Sequence, residues 1–397
     1  MQLIRQPKYD LKQRPFMVIW ETTQACDLAC KHCRAESQKD HNPFALSFHE
    51  GKDLVDQVLD FGEPHPLFIM TGGDPFKRED IFDLVSYASE KGLPVALSPS
   101  GTPLLNMKNL QRLKDAGCKV ISLSLDGSNS GIHDSFRGVP GSFDWTVNGW
   151  KFAQSLGLKI QVNTTVTRYN LMDLPEIFAL VREIGVMTWS VFFLVPTGRG
   201  LTEDEITPQD YEAVMNFLYD ASKYIGIKTT EGHHYKRVVL QRAYLEANGL
   251  PIKQYLDLNG TYDALIEGLH RLAPTSLTHH NPDRMRRTPL HVNAADGFVF
   301  ISLLGEVFPS GYLPVSAGNV RTTPLREIYQ LSPLFQSLRN KKSLKGRCGK
   351  CEFNPVCGGS RSRAYAMTGD VLAEEPYCSY QPGTFPFSRE IPEISGA

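Results

Sequence analysis

The sequence predicts an α/β fold: a partial (βα)6 barrel of the TIM-like kind, followed by a small C-terminal domain that contains a β-hairpin. Three observations carry this. Between residues 16 and 195, short apolar runs alternate six times with segments of helical spacing, the order that builds a parallel sheet with helical crossovers. The apolar runs are near-continuous, as expected of strands covered on both faces. Polar, glycine-containing stretches recur just after them, as TGGDP, SPSGTP, SLDGS, NTTVTR and VPTGRG. Active sites of barrel-like α/β folds lie at that end of the strands.

The elements follow in order. FMVIWE (16–21) is the first strand and leads into a cysteine-bearing loop. SFHEGKDLVDQVLDFG (47–62) has helical spacing, with Ser47 as N-cap and Glu50 completing a capping box. LFIM (67–70) reads as the second strand, REDIFDLVSYASEKG as a helix stopped by Gly92, PVALS as the third strand and NLQRLKDAG as its helix. KVISLSLDG (119–127) is the fourth strand, with a helix over 142–157. KIQVNTTV is the fifth, followed by the helix DLPEIFALVREIG. TWSVFFLV (188–195) is the sixth, with TPQDYEAVMNFLYDASKYIG as its helix. Residues 230–290 mix helical pieces with a polar stretch. From 296, DGFVFISLLGEVFPSG reads as two strands around a turn at LLGE. The expected organisation is an N-terminal tail (1–15), a barrel core (16–225), a bridging segment (226–290) and a cysteine-bearing C-terminal domain (291–397).

Composition bounds the function. The chain has 397 residues, 41% hydrophobic and 21% charged, enough for one large core and a smaller unit. A net charge of −1 leaves no electrostatic footprint for nucleic acid. No run approaches the roughly eighteen apolar residues of a membrane span. MQLIRQPKYDLKQRPF lacks the apolar stretch of a secretory signal, so a cytoplasmic location is expected. The eight cysteines are Cys26, Cys30, Cys33, Cys118, Cys348, Cys351, Cys357 and Cys378. Three lie near one end, four near the other and one is alone. Clustering of this kind favours metal binding over a disulfide framework.

QACDLACKHCRAES (24–37) sets three cysteines at C-x3-C-x2-C. Three thiolates on a [4Fe–4S] cube leave one iron free, and an open coordination position marks a catalytic site. The spacing fits neither the four-cysteine nor the two-cysteine, two-histidine pattern of structural zinc. C-x3-C-x2-C after a first strand, followed by βα units, resembles the radical S-adenosylmethionine (SAM) enzymes. The resemblance implies that the methionyl amino and carboxylate groups of SAM chelate the free iron. One electron then cleaves the sulfonium bond to give a 5′-deoxyadenosyl radical. It implies reduced ferredoxin or flavodoxin as electron donor. It makes His32 a packing residue near the adenine. TGGDP (71–75) resembles the family's GGEP motif, so Gly72, Gly73 and Asp74 would bind the SAM amino group, with Asp74 in place of the commoner Glu. SLDG and HDSFRG resemble the fourth-strand motif, which assigns Ser124 and Arg137 to the SAM carboxylate. Asn163 would meet the ribose, and Leu194 in FFLVPTGRG the adenine.

Cys348, Cys351, Cys357 and Cys378 follow C-x2-C-x5-C-x20-C. Four thiolates fill a cube completely, so such a cluster transfers electrons or holds structure. A zinc ribbon usually pairs two C-x2-C knuckles, and this segment has one. CGKCEFNPVCGGSRSRAYAMTGD (348–370) resembles the SPASM or shorter twitch extension of radical SAM enzymes. Ser310 and Ser360 stand where related sequences often carry cysteine, so one auxiliary [4Fe–4S] cluster is expected. Cys118 reads as a buried structural thiol. The tail is most similar to enzymes that alter tetrapyrrole side chains in haem biosynthesis. The implied function is a SAM-dependent oxidoreductase acting on a tetrapyrrole, with propionate decarboxylation foremost. A maturase acting on a peptide is the alternative, and a non-catalytic electron carrier a more distant one. Arg284, Arg286, Arg287, Arg361 and Arg363 would serve propionates or be ordinary surface charge. His233, His234, His279 and His280 would be haem-iron ligands, substrate acids or solvated loop residues, the last being favoured.

Overall fold

A computed structural model describes residues 3–273 and 289–395. Its strands are β1 (Met17–Glu21), β2 (Leu67–Thr71), β3 (Val95–Leu97), β4 (Val120–Ser124), β5 (Lys159–Val166), β6 (Thr188–Phe193), β7 (Ile227–Thr230), β8 (Phe298–Ile301) and β9 (Val307–Phe308). They form one sheet in the order β7-β6-β5-β4-β3-β2-β1-β8-β9. Every neighbouring pair is parallel except the β8–β9 hairpin.

The crossovers carry α1 (Phe48–Leu59), α2 (Ile81–Glu90), α3 (Met107–Asp115), α4 (Ser130–Arg137), α5 (Ser142–Ser155), α6 (Leu174–Glu183) and α7 (Pro208–Ala221). The capping box is present: the Ser47 hydroxyl accepts from the Glu50 amide, and the Glu50 carboxylate accepts from the Ser47 amide at 2.8 Å. Helix α4, which carries HDSFRG, is not among the elements expected from the sequence. It has only eight residues, started by the Asn129 side chain and ended at Gly138, too short to show a convincing period.

Two features of the sheet differ from expectation. The outward face is apolar, with Trp20, Phe68, Leu123, Val162 and Trp189 fully buried beneath helices. The inward face is mixed: Ser122, Ser124, Gln161 and Asn163 line an open lumen together with Ile19, Ile69, Phe192 and Phe300. The lumen holds a cavity rather than layers of packed side chains, so those positions need not be apolar. The sheet also extends past the expected core at both edges. Strand β7 lies inside the segment read as a bridge. Strand β8 pairs in parallel with β1, Met17 opposite Phe298, which covers the edge that a partial barrel otherwise leaves unpaired.

Helix α8 (Tyr235–Ala247) is buried on nearly all sides, as an internal helix should be. It lies against α7, where Arg237 pairs with Glu212 at 2.6 Å and Arg242 with Asp220 at 2.7 Å. Beyond it come α9 (Ile252–Tyr255), α10 (Gly260–Leu272), α11 (Leu325–Leu331), α12 (Pro333–Arg339), α13 (Gly346–Lys350) and α14 (Arg361–Thr368).

Arg363 on α14 joins the tail to the barrel, and its side chain is completely buried. It donates to the Leu194 carbonyl at 2.8 Å, to the Glu231 carbonyl at 3.0 Å and to the Glu375 carboxylate at 3.1 Å, with Glu205 at 3.3 Å. Arg361 is equally buried and donates to the carbonyls of Val371 and Ala373. Neither is surface charge, and neither faces a substrate cavity, so both sequence readings of these two arginines are corrected. Arg284, Arg286, Arg287, His279 and His280 lie outside the described residues. Removing one member of a buried ion pair leaves the other charge uncompensated, at a cost of about 3–5 kcal/mol. Arg363→Met should therefore lower the denaturant-unfolding free energy by about that amount, and Arg363→Lys should recover only part of it, since one ammonium cannot reproduce the fork.

Candidate functional site

The cysteine loop leaves β1 as irregular chain and is held by backbone contacts. The Cys26 amide donates to the Gln38 carbonyl at 2.7 Å, which folds the loop back on itself. The Gly73 and Asp74 amides donate to the Thr23 and Ala25 carbonyls, both at 2.7 Å. A Cβ at Gly72 would lie 2.4 Å from the Thr23 oxygen, and one at Gly73 would lie 2.5 Å from the Ala25 oxygen. These two glycines are thus required by the cysteine loop itself, in addition to any ligand.

Cys26, Cys30 and Cys33 line one end of a cavity of about 290 Å³ inside the barrel, open to solvent. Gly72, Gly73, Ser124, Arg137 and Asn163 line the same cavity, so the structure brings these sequence-derived candidates together. Asp74 and Leu194 depart from expectation. The Asp74 carboxylate is fully buried and accepts from the Thr102 hydroxyl at 2.7 Å and from the Phe76 and Ser100 amides. Burial raises its pKa to about 6 against those hydrogen bonds. It braces two loops rather than facing the cavity. Leu194 is buried, and its carbonyl anchors Arg363.

Arg137 is also more engaged than the sequence suggested. It pairs with the buried Asp126, and its Nη1 lies 3.6 Å from Cys30 Sγ. Burial pushes the Cys26 thiol up to about 11 and also raises Cys30, where Arg137 opposes the shift. Cys33 is held below its ordinary value although burial opposes this, through hydrogen bonds from Ser37 and the nearby Arg199. Buried thiolates need positive charge beside them, and a cluster bound by the three thiols would supply it. His32 stacks on Phe136 with ring centroids 4.5 Å apart, a packing role as expected.

The four tail cysteines converge on a second, smaller cavity. Cys348 accepts from the Glu375 amide at 3.3 Å and lies 3.8 Å from Arg361 Nη2, and Cys357 accepts from the Gly359 amide at 3.4 Å. Amides and a guanidinium aimed at sulfur suit thiolates. Among the described residues no group of three or more His, Cys, Asp or Glu closes on a single ion; the four thiols are spread around a space. His234 lines this cavity, is 1% exposed, and has no partner on either ring nitrogen. His233 lines the larger cavity instead. Burial lowers both imidazoles well below their ordinary value, so the reading of these histidines as solvated loop residues is corrected. An unpartnered imidazole beside four thiols fits a sulfur-rich acceptor in the cavity. Cys118 is buried and isolated from both groups, as expected.

Sequence reasoning missed Glu231. Ser310 and Ser360, singled out in the sequence as standing where cysteine was expected, both donate to its carboxylate, at 2.8 and 2.5 Å, and Ser362 adds a third bond at 2.9 Å. Glu231 lies at φ +54, a left-handed conformation uncommon for a non-glycine residue. A carboxylate and three hydroxyls thus fill the space between the β8–β9 hairpin end and the tail. Lys228, on the same strand end, was also missed, because IKTT gives no motif signal.

Comparison with known proteins accords with this geometry. Residues 20–181 match the radical SAM superfamily model. The AdoMet-dependent heme synthase of Methanosarcina barkeri (strain Fusaro / DSM 804) is 40% identical, covering 93% of this chain and 97% of its own length. The AdoMet-dependent heme synthase of Nitratidesulfovibrio vulgaris (strain Hildenborough) is 41% identical, covering 92% of both. The solved structure titled "Native anSMEcpe with bound AdoMet" superimposes with a TM-score of 0.61 at 16% identity, over 95% of this chain and 96% of that one, a likeness of fold. Among the described residues no helix is long and apolar enough to cross a membrane.

Anaerobic reconstitution should load about eight irons per chain, two cubes' worth. Replacing Cys26, Cys30 and Cys33 by alanine should leave about four. Gly73→Ala should do the same without touching a ligand, since its Cβ would displace the loop carbonyls. Iron and sulfide analysis with EPR on each variant checks all three.

Proposed function

The chain belongs to the radical SAM superfamily, and from that premise we propose that it converts propionate side chains of an iron-bearing tetrapyrrole to vinyl groups in haem biosynthesis. The observation that carries this reading is likeness along nearly the whole length, tail included, to heme synthases at 40–41% identity. The cavity agrees in its lining, which joins the three loop cysteines to Phe298, Phe300 and Tyr312 of the C-terminal segment, aromatic surface suited to a flat macrocycle.

In this reading Cys26, Cys30 and Cys33 hold a [4Fe–4S] cluster, and Gly72, Gly73, Ser124 and Asn163 hold SAM above it. Cys348, Cys351, Cys357 and Cys378 hold an auxiliary [4Fe–4S] cluster. When bound, these groups supply a 5′-deoxyadenosyl radical at one end of the substrate and a sink for one electron at the other. Reduced ferredoxin or flavodoxin provides the electron that starts the reaction.

The chain's own residues bind, orient and shield. Arg137 keeps its charge against Cys30 and Asp126, leaving only its buried Nε free. Tyr312 and Phe300 close the cavity on the side of the C-terminal hairpin, excluding water from reactive carbon centres. The balance on the substrate is simple. A propionate loses one hydrogen atom, one electron and CO2, and a vinyl group remains. No part of this requires a protein acid or base, which agrees with a cavity whose one lining carboxylate beyond the loop, Glu231, is tied to three serines.

Anaerobic incubation of the reconstituted protein with SAM, reductant and iron coproporphyrin III should remove the elements of formic acid from the tetrapyrrole, read by mass spectrometry, with 5′-deoxyadenosine formed alongside. A protein that leaves the tetrapyrrole intact and modifies a co-encoded peptide would overturn the reading in favour of a maturase. Cys351→Ala with Cys357→Ala, once shown folded by circular dichroism because cluster loss can cost folding energy, should still cleave SAM. It should form little vinyl product, because the electron has no acceptor.

A further inference from the structure

The cations that line the barrel cavity are Arg34, Arg137 and Lys228, together with the imidazoles of His32 and His233. Arg34 is paired with Glu21 at 2.7 Å and lies over the Phe300 ring. Arg137 is paired with Asp126. Both imidazoles are held neutral by burial. Of the three charged side chains, that of Lys228 alone has no hydrogen bond or ion pair among the described residues. The nearest candidate anion in sequence, Glu231, is occupied by three serine hydroxyls. Burial pushes the Lys228 pKa down to about 8, which keeps it mostly charged at neutral pH and in need of a counter-charge.

Its place in the sheet says what it can reach. In the strand register Ser124 lies opposite Asn163, Asn163 opposite Ser190, and Ser190 opposite Lys228. This is one polar row across β4 to β7. Ser190 is fully buried, and its hydroxyl also lacks a partner. The residues expected to hold SAM lie on β2, β4 and β5, and Lys228 lies on β7, toward the closing hairpin. Arg361 and Arg363, the arginines expected from the sequence to meet substrate carboxylates, are consumed by internal bonds.

We propose that Lys228 is a carboxylate-binding subsite of the barrel cavity, and that it takes a propionate of the substrate. This rests on the tetrapyrrole reading. An ammonium deep in a low-dielectric lumen binds one carboxylate strongly and fixes the rotation of the macrocycle about its normal. It therefore chooses which propionates stand before the radical and which act as handles. The propionate it holds is not the one decarboxylated, since a carboxylate anchored by an ion pair is stabilised against loss of CO2.

The test compares wild type, Lys228→Met and Lys228→Arg as reconstituted proteins with equal iron content and equal melting temperature. Each is titrated at the Soret band with iron coproporphyrin III and with its tetramethyl ester, and by equilibrium dialysis with SAM. Lys228→Met should weaken the acid porphyrin at least tenfold. It should leave the ester and SAM unchanged and keep uncoupled 5′-deoxyadenosine formation. Lys228→Arg should restore most of the affinity. Equal affinity of Lys228→Met and wild type for the acid would overturn the inference while leaving the function standing. Weakened SAM with unchanged porphyrin would assign the carboxylate to the cofactor and overturn the substrate subsite. A wild type that binds neither porphyrin would overturn the tetrapyrrole reading and this inference with it.

Discussion

The buried guanidinium of Arg363 holds the two halves of the site in one frame. Taking an arginine out of water costs several kcal/mol, and the cost is offset only if its donors are met. Here they meet the Leu194 carbonyl at the end of β6, the Glu231 carbonyl just after β7, and carboxylates from both the barrel-side Glu205 and the tail Glu375. Burial raises the Glu205 pKa to about 7, with Arg363 and the Tyr211 hydroxyl opposing. The same guanidinium lies 4.9 Å from the Tyr211 ring. Geometry of this kind tolerates little displacement, so the ends of β6 and β7 and the start of α14 move as one piece.

From that frame the rest of the site follows. Ser360 and Ser362 flank the arginines on α14, and with Ser310 from the hairpin they bind Glu231. Glu375 reaches back to the Cys348 sulfur through its amide. The tail cavity is therefore fixed to the barrel cavity through a short chain of hydrogen bonds. Three serine hydroxyls and one carboxylate fill the space between hairpin and tail, so each of these polar groups has a partner.

The lumen shows a second economy. Its walls mix polar and apolar side chains, and almost every charge on them is neutralised within the protein: Arg34 by Glu21, Arg137 by Asp126, Glu231 by serines. Glycine at 72 and 73 lets the cysteine loop lie against β2 without an intervening side chain. The cysteines thus reach the cavity mouth on a loop whose backbone is paired, which holds them in place before any ligand arrives.

The sequence by itself determined the barrel's alternation, the capping box at Ser47, the hairpin near 305, and both cysteine groups. Each rests on short-range pattern: period, cap chemistry or ligand spacing. The motif resemblance also singled out Gly72, Gly73, Ser124, Arg137 and Asn163, of which Arg137 stands at the end of α4 and the others at or near strand ends on one rim. Only the tertiary structure decided which of those side chains face the cavity. Asp74 and Leu194 sit in the right motifs but turn away from the cavity, one to Thr102 and the other to Arg363 by its carbonyl. Arg361 and Arg363 read as surface charge because an ion pair's partners, far away in sequence, are invisible to local pattern. The pairing of β8 with β1, the serine cradle of Glu231 and the unpartnered Lys228 likewise depend on contacts between distant segments, and burial makes those contacts decisive by removing water as the alternative partner.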